Sequence, residues 1–300
     1  MMRPCNLLFT FSCLLAAPLV AQTQIGGGTC SSSTLSGIYA FSITGRQVTS
    51  AGNFTNVLQG NGSANFDGQS KATITLTADT LQSVATPLTW SGSYSVQANC
   101  AGVVAIASGG SATLNLVLYN QGANFLVTGN DATYNYSGSG NTQPTNCSAA
   151  TLTGVYTLTG TGYNLSGGSV NGAGAGTGLM QFHGASNLTV NLNTSVIGSA
   201  PKAITLTGSY SISSTCVGTA TLTDSASGTY RMSFSISNSS AAFGAFDTTL
   251  AQSGKLMIAG SGNAVYGQPA PAAANHGGRV WPAAEVLAKL LAQVAYGWAI

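Results

Sequence analysis

The sequence predicts an all-β protein: two tandem antiparallel up-and-down β-barrel-like domains of about eight strands each, plus a C-terminal helix. Three observations carry this. The first is a recurring module. Gly92-Ser93-Tyr94-Ser95-Val96, followed by Cys100-Ala101-Gly102, returns as Gly208-Ser209-Tyr210-Ser211-Ile212, followed by Cys216-Val217-Gly218. Upstream, Cys30 with Leu35-Ser36-Gly37-Ile38-Tyr39 returns as Cys147 with Leu152-Thr153-Gly154-Val155-Tyr156. The upstream anchors are offset by 117 residues and the downstream anchors by 116, so the halves read as a duplication. The second observation is alternation with period two: Thr73-Ile74-Thr75-Leu76-Thr77, the Leu114, Leu116, Leu118 row, and in the second half Leu188, Val190, Leu192. The third is frequent turn residues between short runs, which suits a barrel whose closure removes exposed edges. A pair of two-sheet sandwiches is the alternative.

In chain order, Arg3 and the apolar run Leu7 to Val20 read as a signal peptide over 1–21. Its removal leaves no transmembrane span and takes Cys5 and Cys13 with it. The first barrel-like repeat is expected over 22–143. Its strands are predicted near 37–44, 53–59, 63–67, 72–78, 88–97, 101–107, 112–119 and 124–129, with one more at 133–136. Turns are expected at Gly60-Asn61-Gly62, Asp67-Gly68, Gly109-Gly110, Gln121-Gly122 and Gly129-Asn130. The second repeat is expected over 144–268. Its inward stripes would be Leu188, Val190 and Leu192; Ile204, Leu206, Tyr210 and Ile212; and Met232, Phe234 and Ile236. Gly172-Ala173-Gly174-Ala175-Gly176 reads as a Gly-rich hairpin or irregular loop. Residues 269–300 contain no Ser or Thr: a Pro/Ala linker leads to a short amphipathic helix, opened by Pro282, with Val286, Leu287, Leu290, Leu291 and Val294 on one face.

Four cysteines then remain, two per repeat. The repeat favours the pairing inside each copy, Cys30–Cys100 and Cys147–Cys216, as disulfides of an exported protein. A metal site fits poorly, because the spacing is not that of zinc ligands and no histidine lies near.

Composition narrows function. Charged residues make up 5% of the chain, against roughly 25% in an average soluble protein. A net charge of +2 is too small for a nucleic-acid footprint. Between Ala21 and Gln268 the acids are Asp67, Asp79, Asp131, Asp224 and Asp247, with no Glu, and His183 is the one histidine. None of the aspartates forms a recognisable catalytic pair, and His183 has no nucleophile turn to serve. No enzyme, cofactor or metal is therefore expected, and His183 reads as an ordinary strand-end residue. Tyr39, Tyr94, Tyr156 and Tyr210 are the candidate ligand-binding residues, as stacking platforms for sugars. The competing reading makes them core aromatics whose hydroxyls reach backbone carbonyls. Trp90 has no aromatic match in the second half, where Thr207 or a neighbour stands.

The Cys30…Tyr39 stretch and its twin from Cys147 resemble the opening strand of calycin-type barrels, the lipocalin and avidin group, with Tyr where those families carry Trp. The Gly-x-Tyr-x-Val/Ile…Cys-x-Gly module also resembles tandem units of uncharacterised exported bacterial β proteins. The first resemblance implies a barrel; neither implies an activity.

Three functions follow as expectations. The first is an exported, non-catalytic structural or adhesion-like protein, secreted or at the cell surface (periplasmic or extracellular). The second is a carrier of a small apolar ligand in a barrel cavity, for which Ala40, Ala105 and Ala107 leave room. The third is a polysaccharide- or ice-binding Thr face built on Thr73, Thr75 and Thr77 and on Thr205 and Thr207, with a surface glycan as partner.

Overall fold

The computed structural model describes residues 29–48, 54–80, 86–144, 146–166, 169–225, 229–237, 243–247 and 256–262. The signal peptide over 1–21 and the helix over 269–300 lie outside these residues. The fold is all-β. Strands β1 (Ser36–Val48), β2 (Phe54–Asp67), β3 (Lys71–Thr80), β4 (Thr86–Val96), β5 (Ala101–Ser108), β6 (Ala112–Tyr119), β7 (Asn124–Asp131) and β8 (Asn135–Thr142) pair in sequence order, all antiparallel. β8 returns to β1, with Phe41 opposite Gly140, and closes an eight-stranded barrel.

A second antiparallel sheet follows. It comprises β9 (Thr153–Ser166), β10 (Ser169–His183), β11 (Asn187–Val196), β12 (Lys202–Ile212), β13 (Val217–Thr223), β14 (Thr229–Ile236), β15 (Phe243–Asp247) and β16 (Leu256–Gly262). Each strand pairs with the next, and β16 pairs with β9.

Alternation sorts the two faces of the first barrel. Ile74 and Leu76, and Leu114, Leu116 and Leu118, are buried inside, while Thr73 and Thr75 are exposed outside. The interior is filled. Phe66 packs edge-on against Tyr39 (centroids 5.7 Å apart), Tyr94 (5.0 Å) and Phe125 (5.8 Å). At the other end Trp90 meets Tyr136 edge-on at 5.7 Å. Burying such side chains stabilises by about 1.5–3 kcal/mol each, and edge-to-face pairs add about 0.5–1.5 kcal/mol. In the second sheet Tyr156, Phe182, Tyr210 and Phe234 form the matching cluster, and Leu206 stands at the register position of Trp90.

The disulfides are formed as the repeat favours. Cys30 joins Cys100 across a span of 70 residues, and Cys147 joins Cys216 across 69. Each ties an entering segment to the turn before the fifth strand of its half. Closing a loop of that length stabilises by roughly 4 kcal/mol in the chain-entropy account. Beyond Cys30 a single 3-10 turn, Ser32–Thr34, leads Leu35 into the barrel end, where it is fully buried. Leu152 takes the same place in the second half after Ala149–Thr151.

Three predicted turns are strand interior instead. Gly60-Asn61-Gly62 lies mid-β2, so the runs 53–59 and 63–67 are one strand. Gly129-Asn130 lies within β7, and Gly172–Gly176 lies within β10, after a bulge at Val170/Gly172. At Gly62 and Gly129 the reason is curvature. A Cβ on Gly62 would overlap the carbonyl oxygen of Thr75, and one on Gly92 that of Ala105; Gly178 and Gly208 meet Asn191 and Thr221 in the same way. Glycine is what lets neighbouring strands approach at these tight corners. Replacing Gly92 or Gly208 by Ala should lower unfolding free energy by about 1–3 kcal/mol, measured by denaturant titration. Gly172→Ala, where a Cβ meets nothing within 4 Å, should change it by less than about 0.5 kcal/mol.

Candidate functional site

The four candidate tyrosines are core residues, and this corrects their reading as stacking platforms. Tyr39 and Tyr156 are 1% exposed, and Tyr94 and Tyr210 are 4% exposed. Their inward positions follow from alternation, and most of their hydroxyls act as latches. Tyr94 donates to the carbonyl oxygens of Leu35 (2.7 Å) and Ser32 (3.0 Å), holding the entering segment across the barrel end. Tyr210 does the same to Ala149 (2.8 Å) and Leu152 (3.1 Å). Tyr39 donates to Gly122 at 2.8 Å, in the turn between β6 and β7. A flat ring face reachable by a sugar is thus not offered by any of the four.

The described aspartates serve turns and neighbouring tyrosines. Asp67 accepts from the backbone N–H groups of Gln69, Ser70 and Lys71 at 2.8, 2.8 and 2.9 Å, which holds its carboxyl below the usual range. Asp131 caps the turn before β8 through Thr133 and Tyr134 and also accepts from Tyr136. Asp224 accepts from Tyr230 at 2.8 Å. His183 ends β10 in an exposed position, its Nε2 3.2 Å from the Thr189 hydroxyl. Among the described residues no three His, Cys, Asp or Glu side chains gather as a metal site would need. No described helix is long and apolar enough to cross a membrane. Most outward strand positions carry Thr, Ser or Asn, with Ile38, Val103, Val117 and Leu126 as exposed apolar exceptions.

Ala105 and Ala107 face outward and are exposed, and Ala40 also lies on the outer side, opposite Ser63 and Asn141. They leave no room inside. The threonine rows do align: Thr189, Thr207 and Thr223 sit opposite one another on β11, β12 and β13. Several of these hydroxyls are already engaged. Thr205 donates to Asn191 Oδ1 at 2.9 Å and Thr223 to the Thr207 carbonyl at 3.3 Å.

A cleft of about 510 Å³ opens instead between the halves. Outward positions of β1 and β2 (Thr44, Arg46, Gln59) face Thr161 on β9, Ala173 and Ala175 on β10, and Ser195 and Ile197 at the end of β11. Beside it, the outer face of β2 packs on β14. There Val57, Gln59 and Asn61 are outward by register yet buried, as are Ser233, Ser235 and Ser237. The Gln59 Oε1, both polar atoms of the Asn61 side chain and the Ser233 Oγ have no hydrogen-bond partner. Register puts these positions on the outer faces of their sheets, and only the packing of one half on the other buries them. No protein-family model matches the chain, and no curated protein matches it.

Burial is the leading cause that raises the tyrosine pKa values at Tyr39, Tyr94, Tyr134, Tyr136, Tyr156 and Tyr210, with Tyr156 pushed up to about 12. A raised folded value contributes stability that is complete below the ordinary value of 10.0 and lost as pH climbs toward the folded one. Phenolate absorbance should therefore show these tyrosines ionising together with alkaline unfolding above about pH 10; gradual titration of all phenols in a folded protein would contradict it. Asp67 runs the other way. Its lowered value contributes stability above about pH 4 that is lost as pH falls, so Asp67→Asn should flatten the acid limb of a melting-temperature profile.

Proposed function

We propose that the chain is an exported, non-catalytic structural protein of the cell surface or extracellular space, built from two copies of one disulfide-capped barrel. The observation that carries this reading is the filled interior of the first barrel, from Phe66 and Phe125 at the capped end to Trp90 and Tyr136 at the other. A carrier needs a hollow, and an enzyme needs converging ionisable groups. Two cystines suit an oxidising compartment. For the second copy, the support is repeated detail. Cys100 and Cys216 both hold left-handed backbone, with φ of 66° and 60°. The Cys100 carbonyl accepts from Leu118 N–H as the Cys216 carbonyl accepts from Ile236 N–H, both at 2.9 Å. Eight strands in up-and-down order are also the plan of lipocalin and streptavidin barrels, in keeping with the resemblance of the Cys30…Tyr39 stretch.

A second reading, an apolar-ligand carrier, is favoured by one observation in the second half. Gly160 pairs with Gly176 and Gly162 with Gly174 where the first barrel pairs Ile43 with Gly60 and Gly45 with Leu58. Two aliphatic side chains are missing from that wall.

Titration with an apolar fluorescent dye, and with a long-chain fatty acid as competitor, separates the two. The structural reading expects no saturable binding. Saturable binding that Gly160→Ile abolishes would replace it with the carrier reading.

A further inference from the structure

We infer that the outer face of β5, β6 and β7 on the first barrel is a self-association surface, through which two copies of the chain pair like face to like face about a two-fold axis. The inference stands on exterior residues and does not need the structural role proposed above. Five large apolar side chains are exposed among the described residues, and three of them share this face: Val103 (37%), Val117 (40%) and Leu126 (54%). Val117 lies directly opposite Leu126 across β6 and β7. Val103 on β5 pairs with Asn115, two residues from Val117, so it sits diagonally from Val117 and the three form one patch. Grouped apolar side chains on an exterior point to an interaction surface, whereas single scattered ones do not.

The second half shows what covers this wall of the fold. The Leu118 N–H donates to the Cys100 carbonyl as the Ile236 N–H donates to the Cys216 carbonyl, which aligns β6 with β14. Val117 therefore corresponds to Ser235 and, across the next strand, Leu126 to Gly244. Val103 corresponds to Thr219 at the 116-residue offset. On β14 the wall is taken: Ser233, Ser235 and Ser237 are buried, and β2 of the first barrel packs on that strand. The fold thus uses this wall to pack barrel on barrel, and in the first half the same wall is exposed at Val103, Val117 and Leu126. The residue types fit the difference. A seam inside one chain is kept at high effective concentration by the short connection between the halves, and serine suffices there. Two separate chains lose translational and rotational freedom on meeting. Valine and leucine in place of threonine, serine and glycine supply the apolar burial that offsets this. Charge points to the same occupant. β5, β6 and β7 carry no charged side chain except Asp131, at the end of β7 away from the patch, so one copy of the face meets another without repulsion. A two-fold axis beside Val117 sets Leu126 of one chain against Val103 of the other, because these two flank Val117 on opposite sides.

The test is sedimentation equilibrium of the full mature chain over a concentration series, with three variants beside it. The unaltered chain should show reversible monomer–dimer association. Val117→Ser, which writes in the residue of the second half, should weaken it about tenfold, since each dimer loses two apolar contacts. Val117→Arg should leave it undetectable, because two like charges meet at the axis. Ile197→Ser removes a more exposed apolar side chain (78%) away from this face and should leave the dimer constant unchanged. Melting temperatures of the variants should match the unaltered chain, since the replaced side chains are exposed. A photo-crosslinking amino acid at position 126 of the full chain should join one copy to β5 of another. A monomer at every concentration, a dimer that Val117→Arg leaves intact or that Ile197→Ser weakens equally, or a mass that keeps growing past the dimer each overturns the inference. So does a cross-link from position 126 to the chain's own residues 269–300.

Discussion

Closing eight strands into a ring imposes two demands at once, and the rest of this molecule answers to them. The wall must bend sharply, and the space inside must be filled to the density of a solid. Bending is met by glycines at the corners, where a Cβ on Gly62 or Gly92 would collide with the next strand's carbonyl oxygen. Filling is met by rings. Gly140 lies directly beneath Phe125, and Gly218 beneath Phe234, so the wall gives up a side chain where the core needs the room. The two demands are coupled: a glycine that permits the bend also opens the volume that an aromatic from a neighbouring strand occupies.

The end of the barrel then has to be sealed, since a ring of strands leaves both ends open to water. Cys30–Cys100 brings the entering segment across that end, Leu35 plugs it, and the Tyr94 hydroxyl binds the carbonyl oxygens of the plug itself and of Ser32 in the turn before it. The cystine and the tyrosine are complementary. One restricts the unfolded chain, and the other satisfies carbonyl oxygens that the plug would otherwise bury unpaired. The same arrangement at Cys147–Cys216, Leu152 and Tyr210 explains why Cys, Leu and Tyr are the letters that recur at fixed offsets, while most strand residues between them differ.

Much of this is legible before folding, and the parts that are not share a physical cause. Inward stripes such as Met232, Phe234 and Ile236 can be read because period two is a property of the strand itself. The tyrosine latches can be weighed because a buried hydroxyl must find an acceptor. Gly60-Asn61-Gly62 misleads because glycine serves a turn and a tight strand corner equally well, and only the neighbouring strand tells them apart. The burial of Gln59, Ser233 and Ser235 is not legible in the sequence for a longer-range reason. They sit on faces that a single sheet would give to water, and what covers them lies more than a hundred residues away in sequence.

That covering also makes sense of a composition so poor in charge. When one half packs its outer face on another, positions on each exterior become interior. A buried lysine or glutamate there would cost several kcal/mol unless paired, whereas an unpaired serine or amide costs about 1–3 kcal/mol. Outer faces written in Thr, Ser, Asn and Gln can therefore meet without rejecting one another. The seam they make is weaker than an apolar one, and halves joined in this way move relative to each other more readily than halves joined by a large hydrophobic interface.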